Sequence, residues 1–287
     1  MTKPNVYWLV SYPKSGNTWC RIFLLNYMNN NNVPVGINEL DNIPFISARS
    51  FIDNLLGMDS SELTPEEIID FRLEAFRIFC EHNQRTIIMK VHDAFPGRQA
   101  PGFFAEDFTA GIIYIVRNPL DVAVSLAYHL GESFDLSIRH MNDDNFYFAN
   151  DTRKFETQFP QKLKSWSGHV NSWLKNYNGS ICLIRYEDLL DDPYNTFKKI
   201  LSFMKFEIDN ERLEKAIKLS SFHSLKEDEV KNGFREKSSR TDFFFREGKA
   251  GTWNKYLNSE QANRIINNHH DVMLQLNYLN EENKVFV

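Results

Sequence analysis

Tyr12-Pro13-Lys14-Ser15-Gly16-Asn17-Thr18-Trp19 follows directly on a short apolar run, Val6–Val10. An apolar, β-branched run before a Pro- and Gly-containing turn reads as a buried strand entering a loop, and the residues from Trp19 to Met28 carry a helical pattern. A strand that runs through a glycine turn into a helix aims unpaired backbone N–H groups at the turn. The helix N-terminus adds a partial positive charge, so the corner is suited to an anion. Lys14, Ser15 and Thr18 add a cation and two hydroxyls. The order differs from that of nucleoside triphosphatases, in which a Gly-Lys-Ser/Thr run closes the loop. Here Lys14 precedes Ser15 and Gly16, and the aromatic Trp19 follows at once.

Outward from this corner, β-branched runs recur at Thr86–Val91, Ile112–Val116 and Ile181–Ile184, separated by helical patterns. Strands alternating with helices predict a parallel sheet covered by helices, an α/β fold. Thr64-Pro65-Glu66-Glu67 is a capping box that opens a helix to about His82. Further helices are predicted from Leu120 to Leu130, Lys162 to Tyr177, Pro193 to Met204 and Ser259 to Leu276. Irregular stretches fall at Asn29–Ser61, Gly131–Phe159 and Glu227–Gly251, and their length suits loops that wall a pocket. No repeat or polar linker divides the chain, so residues 1–287 are expected to form one domain.

The chain has 287 residues with 24 Phe, 11 Tyr and 5 Trp, ample for a core. A net charge of −5 excludes a nucleic-acid binder that relies on overall charge, while permitting a local basic pocket. Cys20, Cys80 and Cys182 are odd in number and far apart, which reads as reduced, mostly buried thiols rather than a disulfide framework or zinc site. No Asp/Glu cluster has metal-ligand spacing, so no metal is expected. The N-terminal apolar run is too short for a signal peptide and no stretch approaches a membrane span. The expectation is a cytoplasmic protein with no membrane and no nucleic-acid partner. Its oligomeric state is left open.

Ile115-Val116-Arg117-Asn118-Pro119 ends the third strand, and the helix after it bears Asp121 and Ser125. Arg117 and Ser125 can converge on one phosphate, since a guanidinium fork matches phosphate oxygens. This segment resembles the 3′-phosphate-binding run of sulfotransferases that use 3′-phosphoadenosine 5′-phosphosulfate (PAPS), and the Tyr12–Trp19 corner resembles their 5′-phosphosulfate loop. Three more segments resemble the same family in the same order: Ile184-Arg185-Tyr186-Glu187-Asp188-Leu189, Ser220-Ser221-Phe222, and Phe245-Arg246-Glu247-Gly248-Lys249-Ala250-Gly251-Thr252-Trp253. The resemblance implies a PAPS site made of Lys14, Ser15, Gly16, Asn17, Thr18, Trp19, Arg117, Ser125, Tyr186, Ser220, Phe222, Arg246 and Gly248. It makes Trp19 and Phe222 a stacking pair around the adenine. PAP is then the product. Three positions depart from the family pattern: Glu247 replaces a lysine, Thr252 an aspartate and Asn17 a threonine.

Met89-Lys90-Val91-His92 ends the second strand, similar to the K-x-H of members with small acceptors. An imidazole with an ordinary pKa near ~6.5 can take a proton from a hydroxyl at neutral pH. The expected catalytic set is His92 as base, Lys14 at the leaving oxygen and Lys90 at the sulfuryl oxygens, while His129, His223, His269 and His270 read as structural or solvated. The predicted function is sulfuryl transfer from PAPS to a hydroxyl or amine of a small-molecule acceptor, as in soluble, cytosolic-type members. A P-loop kinase or other phosphoryl-transfer enzyme is one alternative and a non-catalytic nucleotide-binding protein another. Lys14, Lys90 and His92 together favour catalysis over binding alone. The loop residues Tyr128, Glu132, Phe134, Asp135, Asp143, Asp144, Phe146 and Tyr147, with Asp242 and Phe243 to Phe245, combine aromatics and acids. Such walls suit a cationic acceptor. The resemblance implies a natural product such as a saxitoxin-type alkaloid, which bacterial members of the family tailor, and other amines would fit as well.

Overall fold

In the computed structural model the described residues are 4–83, 85–97, 104–150, 156–282 and 284–286. In chain order the strands are β1 (Val6–Ser11), β2 (Ile87–Val91), β3 (Thr109–Val116), β4 (Tyr147–Phe148), β5 (Gln161–Lys162) and β6 (Ile181–Arg185). The helices are α1 (Asn17–Asn29), α2 (Arg49–Leu56), α3 (Pro65–His82), α4 (Pro119–Leu130), α5 (Phe134–Met141), α6 (Trp166–Asn176), α7 (Tyr186–Asp191), α8 (Pro193–Phe203), α9 (Asn210–Leu219), α10 (Phe222–Asn232) and α11 (Ser259–Gln275). The chain is an α/β protein with a central parallel sheet flanked by helices, its strands ordered β2-β1-β3-β6. It divides into two compact units. The first takes residues up to Tyr12, Ile43–Tyr114 and Asp144–Cys182, and the second takes Pro13–Asn42, Ile115–Asp143 and Leu183 onward.

In the first unit β1 pairs parallel to β2, with Val6 opposite Ile87 and Val10 opposite Val91. Every residue of both strands is buried, as expected of a parallel sheet covered on both faces. The outer edge of β2 is closed by the segment around Phe45: the Lys90 N–H donates to the Pro44 carbonyl at 2.8 Å, and the Ile46 N–H to the Lys90 carbonyl at 3.2 Å. That pairing removes an open strand edge. The capping box predicted at Thr64 is formed, with the Glu67 N–H donating to the Thr64 hydroxyl. The second unit is helical, with α1 against α9, α4 against α5, and α11 against both α4 and α5.

Several expected boundaries move. The predicted helix from Lys162 begins at Trp166 instead. Lys164 is left-handed at φ 62°, both Leu163 and Lys164 donate to the Phe146 carbonyl, and Ser165 caps the helix by accepting from Gly168. Gln161 and Lys162 pair with β4 as a short antiparallel ribbon. The stretch 29–61 holds α2, and 131–159 holds α5, capped by Ser133; residues 151–155 of that stretch lie outside those described. Neither α9 nor α10 is among the predicted helices, and α10 runs to Asn232, past the predicted start of the third irregular segment. The cysteines are free and buried as expected, and burial pushes the Cys80 thiol up to about 12.

A buried polar chain sits behind β2. Arg72 donates to the Ser47 hydroxyl at 3.0 Å, and Ser47 donates to Asp93 at 3.1 Å. Burial pushes the Asp93 carboxyl up, and Arg72, 4.0 Å away, pulls it back. Removing one member of a buried pair strands the other charge, at a cost of about 3–5 kcal/mol. An Arg72→Met protein should therefore lose about that much unfolding free energy in urea titration, and a loss below about 1 kcal/mol would show that Asp93 needs no cationic partner.

Candidate active site

The corner after β1 folds as its sequence dictates. Lys14 adopts φ 68° and Gly16 φ 105°, two left-handed residues within three. Gly16 is the N-cap of α1, with no side-chain cap and no acid in the first turn, so no N-cap side chain or first-turn carboxylate offsets the positive end of the helix. Gly16 could be nothing larger. A Cβ there would lie 2.7 Å from the Tyr186 ring, and its φ is one that side chains avoid. The Ser15 hydroxyl is fully buried, and among the described residues it meets no hydrogen-bond partner. An orphaned buried hydroxyl beside an uncapped helix start fits an anionic ligand.

Around this corner the second unit gathers most of the predicted nucleotide residues. Lys14, Ser125, Tyr128, His129, Thr241, Phe243, Phe244 and Arg246 line a cleft. The Lys14 ammonium stands 3.6 Å from the centre of the Phe244 ring. Arg246 is stacked on Tyr128 at 3.9 Å and Tyr256 at 4.9 Å and pairs with Glu247 at 3.3 Å. Glu247 in turn accepts from the Tyr256 hydroxyl, which with Arg246 holds its carboxyl below the usual range. Gly248 lets the Phe222 ring close in, since a Cβ there would run into it. Phe222 also meets Phe245 at 6.4 Å.

Some predicted residues have other duties. Arg117 lies over the Tyr186 ring at 4.4 Å, and each of its terminal nitrogens donates to a carbonyl, Lys14 at 3.1 Å and Lys249 at 3.0 Å. It braces two loops instead of presenting an open fork. Ser220 is fully buried and donates to the Ala216 carbonyl at 2.7 Å, which makes it the end of α9 and not a cleft residue. Trp19 packs edge-on to Tyr186 at 6.0 Å and to Phe197 at 5.7 Å. Asn17 and Thr18 are buried in the first turn of α1. His129, expected to be structural or solvated, is a wall of the cleft. Nothing in its sequence neighbourhood signals this, because the residues that meet it come from the 241–246 segment.

The expected acidic wall is largely engaged elsewhere. Asp135 holds Arg264 and Gln261, and Asp144 accepts from the Ser165 hydroxyl at 2.6 Å. Glu132 sits 3.4 Å from His140, and burial pushes its carboxyl up to about 7 against the pull of Arg240.

The K-x-H pair lies in the first unit. Lys90 is buried, its ammonium 4.4 Å from the Phe45 ring centre. His92 Nδ1 is 2.8 Å from the Ser11 carbonyl, and a carbonyl only accepts. Nδ1 therefore carries the proton in the neutral ring, and Nε2 is the basic nitrogen. Sequence reading missed the residue behind it. His169, fully buried on α6, donates from Nε2 to the His92 carbonyl at 2.9 Å, and its Nδ1 lies 2.7 Å from the Tyr114 hydroxyl.

The sulfotransferase domain model matches residues 4–276. The chain belongs to the sulfotransferase family. Cytosolic sulfotransferase 16 of Arabidopsis thaliana is 24% identical over 275 residues, covering 92% of this chain and 74% of that protein. Sulfotransferase 2A1 of Macaca fascicularis is 26% identical over 267 residues, covering 88% and 79%. Among solved structures, mouse sulfotransferase SULT7A1 complexed with PAP aligns with a TM-score of 0.58 at 21% identity, over 94% of this chain and 85% of that one. Retinol dehydratase in complex with androsterone and inactive cofactor PAP aligns at 0.63 and 18% identity, over 94% and 81%. These likenesses carry the fold. Among the described residues of this family member no helix is long and apolar enough to cross a membrane.

Burial lowers the His169 imidazole from 6.5 to about 4, chiefly by desolvation of its charged form. The unfolded chain then binds a proton that the folded one refuses. This contribution to stability is complete above pH 6.5 and is lost as pH falls towards 4, about 3 kcal/mol in all. Unfolding free energies measured from pH 7 to 4 should fall by that much more in the parent than in a His169→Gln protein. Parallel curves would show that His169 is protonated in the folded state.

Proposed function

We propose that this chain transfers a sulfuryl group from PAPS to a hydroxyl or amine of a small-molecule acceptor. The observation that carries the reading is the corner at Lys14–Thr18: an uncapped helix start and an orphaned buried hydroxyl, with a lysine and, across the cleft, Ser125 and Arg246. In this reading Ser15, Gly16, Asn17 and Thr18 hold the 5′-phosphosulfate, Ser125 and Arg246 take the 3′-phosphate, and Trp19, Tyr186 and Phe222 surround the base. Gly248 gives Phe222 its place, and Arg117 fixes the two loops. The solved relatives complexed with PAP support the choice of nucleotide.

The reaction is an in-line displacement at sulfur. The acceptor oxygen bonds to sulfur while the bond to the bridging oxygen breaks, and that electron pair stays on the 5′-phosphate of PAP. Negative charge therefore grows on the bridging oxygen. Lys14 neutralises it, Lys90 holds the sulfuryl oxygens, and His92 Nε2 takes the acceptor proton. With Asp135 and Asp144 bound to internal partners, the case for a guanidinium alkaloid as acceptor rests on fewer acids than the loops contain. A labelled-PAPS panel of phenols, alcohols, amines and alkaloids assigns the acceptor.

Three outcomes are expected. 3′,5′-ADP should raise the melting temperature without magnesium; stabilisation only by ATP with magnesium would replace this reading with phosphoryl transfer. Lys14→Ala should lower kcat far more than 3′,5′-ADP affinity, because its charge matters most in the transition state. Equal losses would make Lys14 a plain anchor. His92→Ala should lower turnover of a hydroxyl acceptor by roughly 10²–10⁴-fold with nucleotide affinity kept.

A further inference from the structure

Two buried carboxylates outside the predicted site grip the segment that carries Arg246. Glu229, on α10 and 4% exposed, accepts the N–H groups of Phe244 at 2.6 Å and Phe245 at 2.9 Å, one on each oxygen. Asp121, in the first turn of α4 and 2% exposed, accepts the N–H groups of Gly251 at 2.7 Å and Trp253 at 3.0 Å in the same two-oxygen manner. Arg117 holds the middle through the Lys249 carbonyl. The segment has no regular structure from Phe244 to Gly251, so its backbone donors depend on these side chains.

We infer that Glu229 and Asp121 are positioning residues that pre-order the 244–253 segment and so set the affinity of the nucleotide's 3′-phosphate end. This deepens the proposed function and rests on it. The two acids grip the chain on either side of Arg246, Glu229 from two residues before it and Asp121 from five residues after it. A carboxylate accepting two N–H groups makes charge-assisted bonds, stronger than neutral ones and specific in direction. With both ends fixed, Arg246 meets its ligand without the ordering cost that a free loop adds to binding. Glu229 also sets Phe244, a second lining residue of the cleft.

Glutamine and asparagine keep one acceptor and turn an amide NH₂ towards the second N–H. Glu229→Gln and Asp121→Asn should each raise the dissociation constant for 3′,5′-ADP on the order of tenfold, one charge-assisted bond's worth of pre-ordering. The constant for 5′-AMP, which lacks the 3′-phosphate, should change less than twofold, and kcat at saturating PAPS should stay within about threefold. Unchanged 3′,5′-ADP affinity, or equal losses for both nucleotides, would overturn the assignment. Hydrogen exchange on the ligand-free parent protein tests the grip without a variant: the amides of Phe244, Phe245, Gly251 and Trp253 should be protected, and free exchange at all four would also overturn it. If the parent itself ignores 3′,5′-ADP while those amides are protected, the donor reading fails and with it the inferred consequence for affinity.

Discussion

The left-handed turn at Lys14–Gly16 is the constraint around which the second unit is arranged. Gly16 has no Cβ, so the Tyr186 ring can lie where a side chain would otherwise be, within 2.7 Å of that absent atom. Tyr186 is buried there and offers its face to Arg117, a contact that suits a weakly hydrated planar cation. Arg117 then spends one N–H on the Lys14 carbonyl and another on that of Lys249. Turn, ring, guanidinium and distal loop form one stack. A methyl group at Gly16 would displace the ring and, through it, both loops. The helix start at α1 stays uncapped because the chain enters it from this turn, with no Ser, Thr or Asp at the N-cap to close it.

The fold was legible where a local signal decides it. The four sheet strands lie in apolar runs whose partners in a covered parallel sheet need no particular alternation, and Thr64 with Glu67 specifies its own helix start. Missed elements share a different physics. Helix α9 carries five charged residues among ten, Asn210–Leu219, and only Leu213 and Ala216 are buried on it. Its apolar stripe is too thin to show a period, and it exists by packing on α1 and α8. Short helices α2 and α5 have the same problem, at eight residues each. The false start at Lys162 came from a continuous helical pattern through a position, Lys164, whose backbone is left-handed for tertiary reasons. Its N–H reaches the Phe146 carbonyl, which no window of sequence contains.

The candidate site divides along the same line. Lys14, Ser15 and Gly16 could be grouped from the sequence because a strand–turn–helix corner is a local object, and His92 could be placed because a strand end is. Arg246 was readable as a residue but not as a geometry: its aromatic faces come from Tyr128 and Tyr256, far apart in the chain. Asp121 and Glu229 were unreadable in role, since an acid in a helix normally faces solvent. Only burial against backbone donors distinguishes them. Ser220 shows the converse, a residue read from a motif whose hydroxyl ends a helix.

Glu247 is the most consequential departure, a carboxylate where the resembling loops carry a lysine. A negative charge beside Arg246 opposes an approaching phosphate, though partial exposure and solvent screening moderate it. The structure offers a compensation that a lysine could not. Glu247 accepts from Tyr256, Tyr256 packs against Arg246, and Arg246 returns to Glu247, closing a ring of three side chains, with Tyr128 against both the guanidinium and the Tyr256 ring. A long, flexible arginine would otherwise lose rotamer entropy on meeting a ligand; here that ordering is done beforehand. Lys226 adds a cation behind the loop, its ammonium 3.4 Å from the Arg246 carbonyl. In place of a second mobile charge, this chain has one immobilised guanidinium. In the proposed reading, recognition of the nucleotide's far phosphate depends on where Arg246 is held more than on how much charge surrounds it. That dependence makes the two carboxylate grips on its backbone matter.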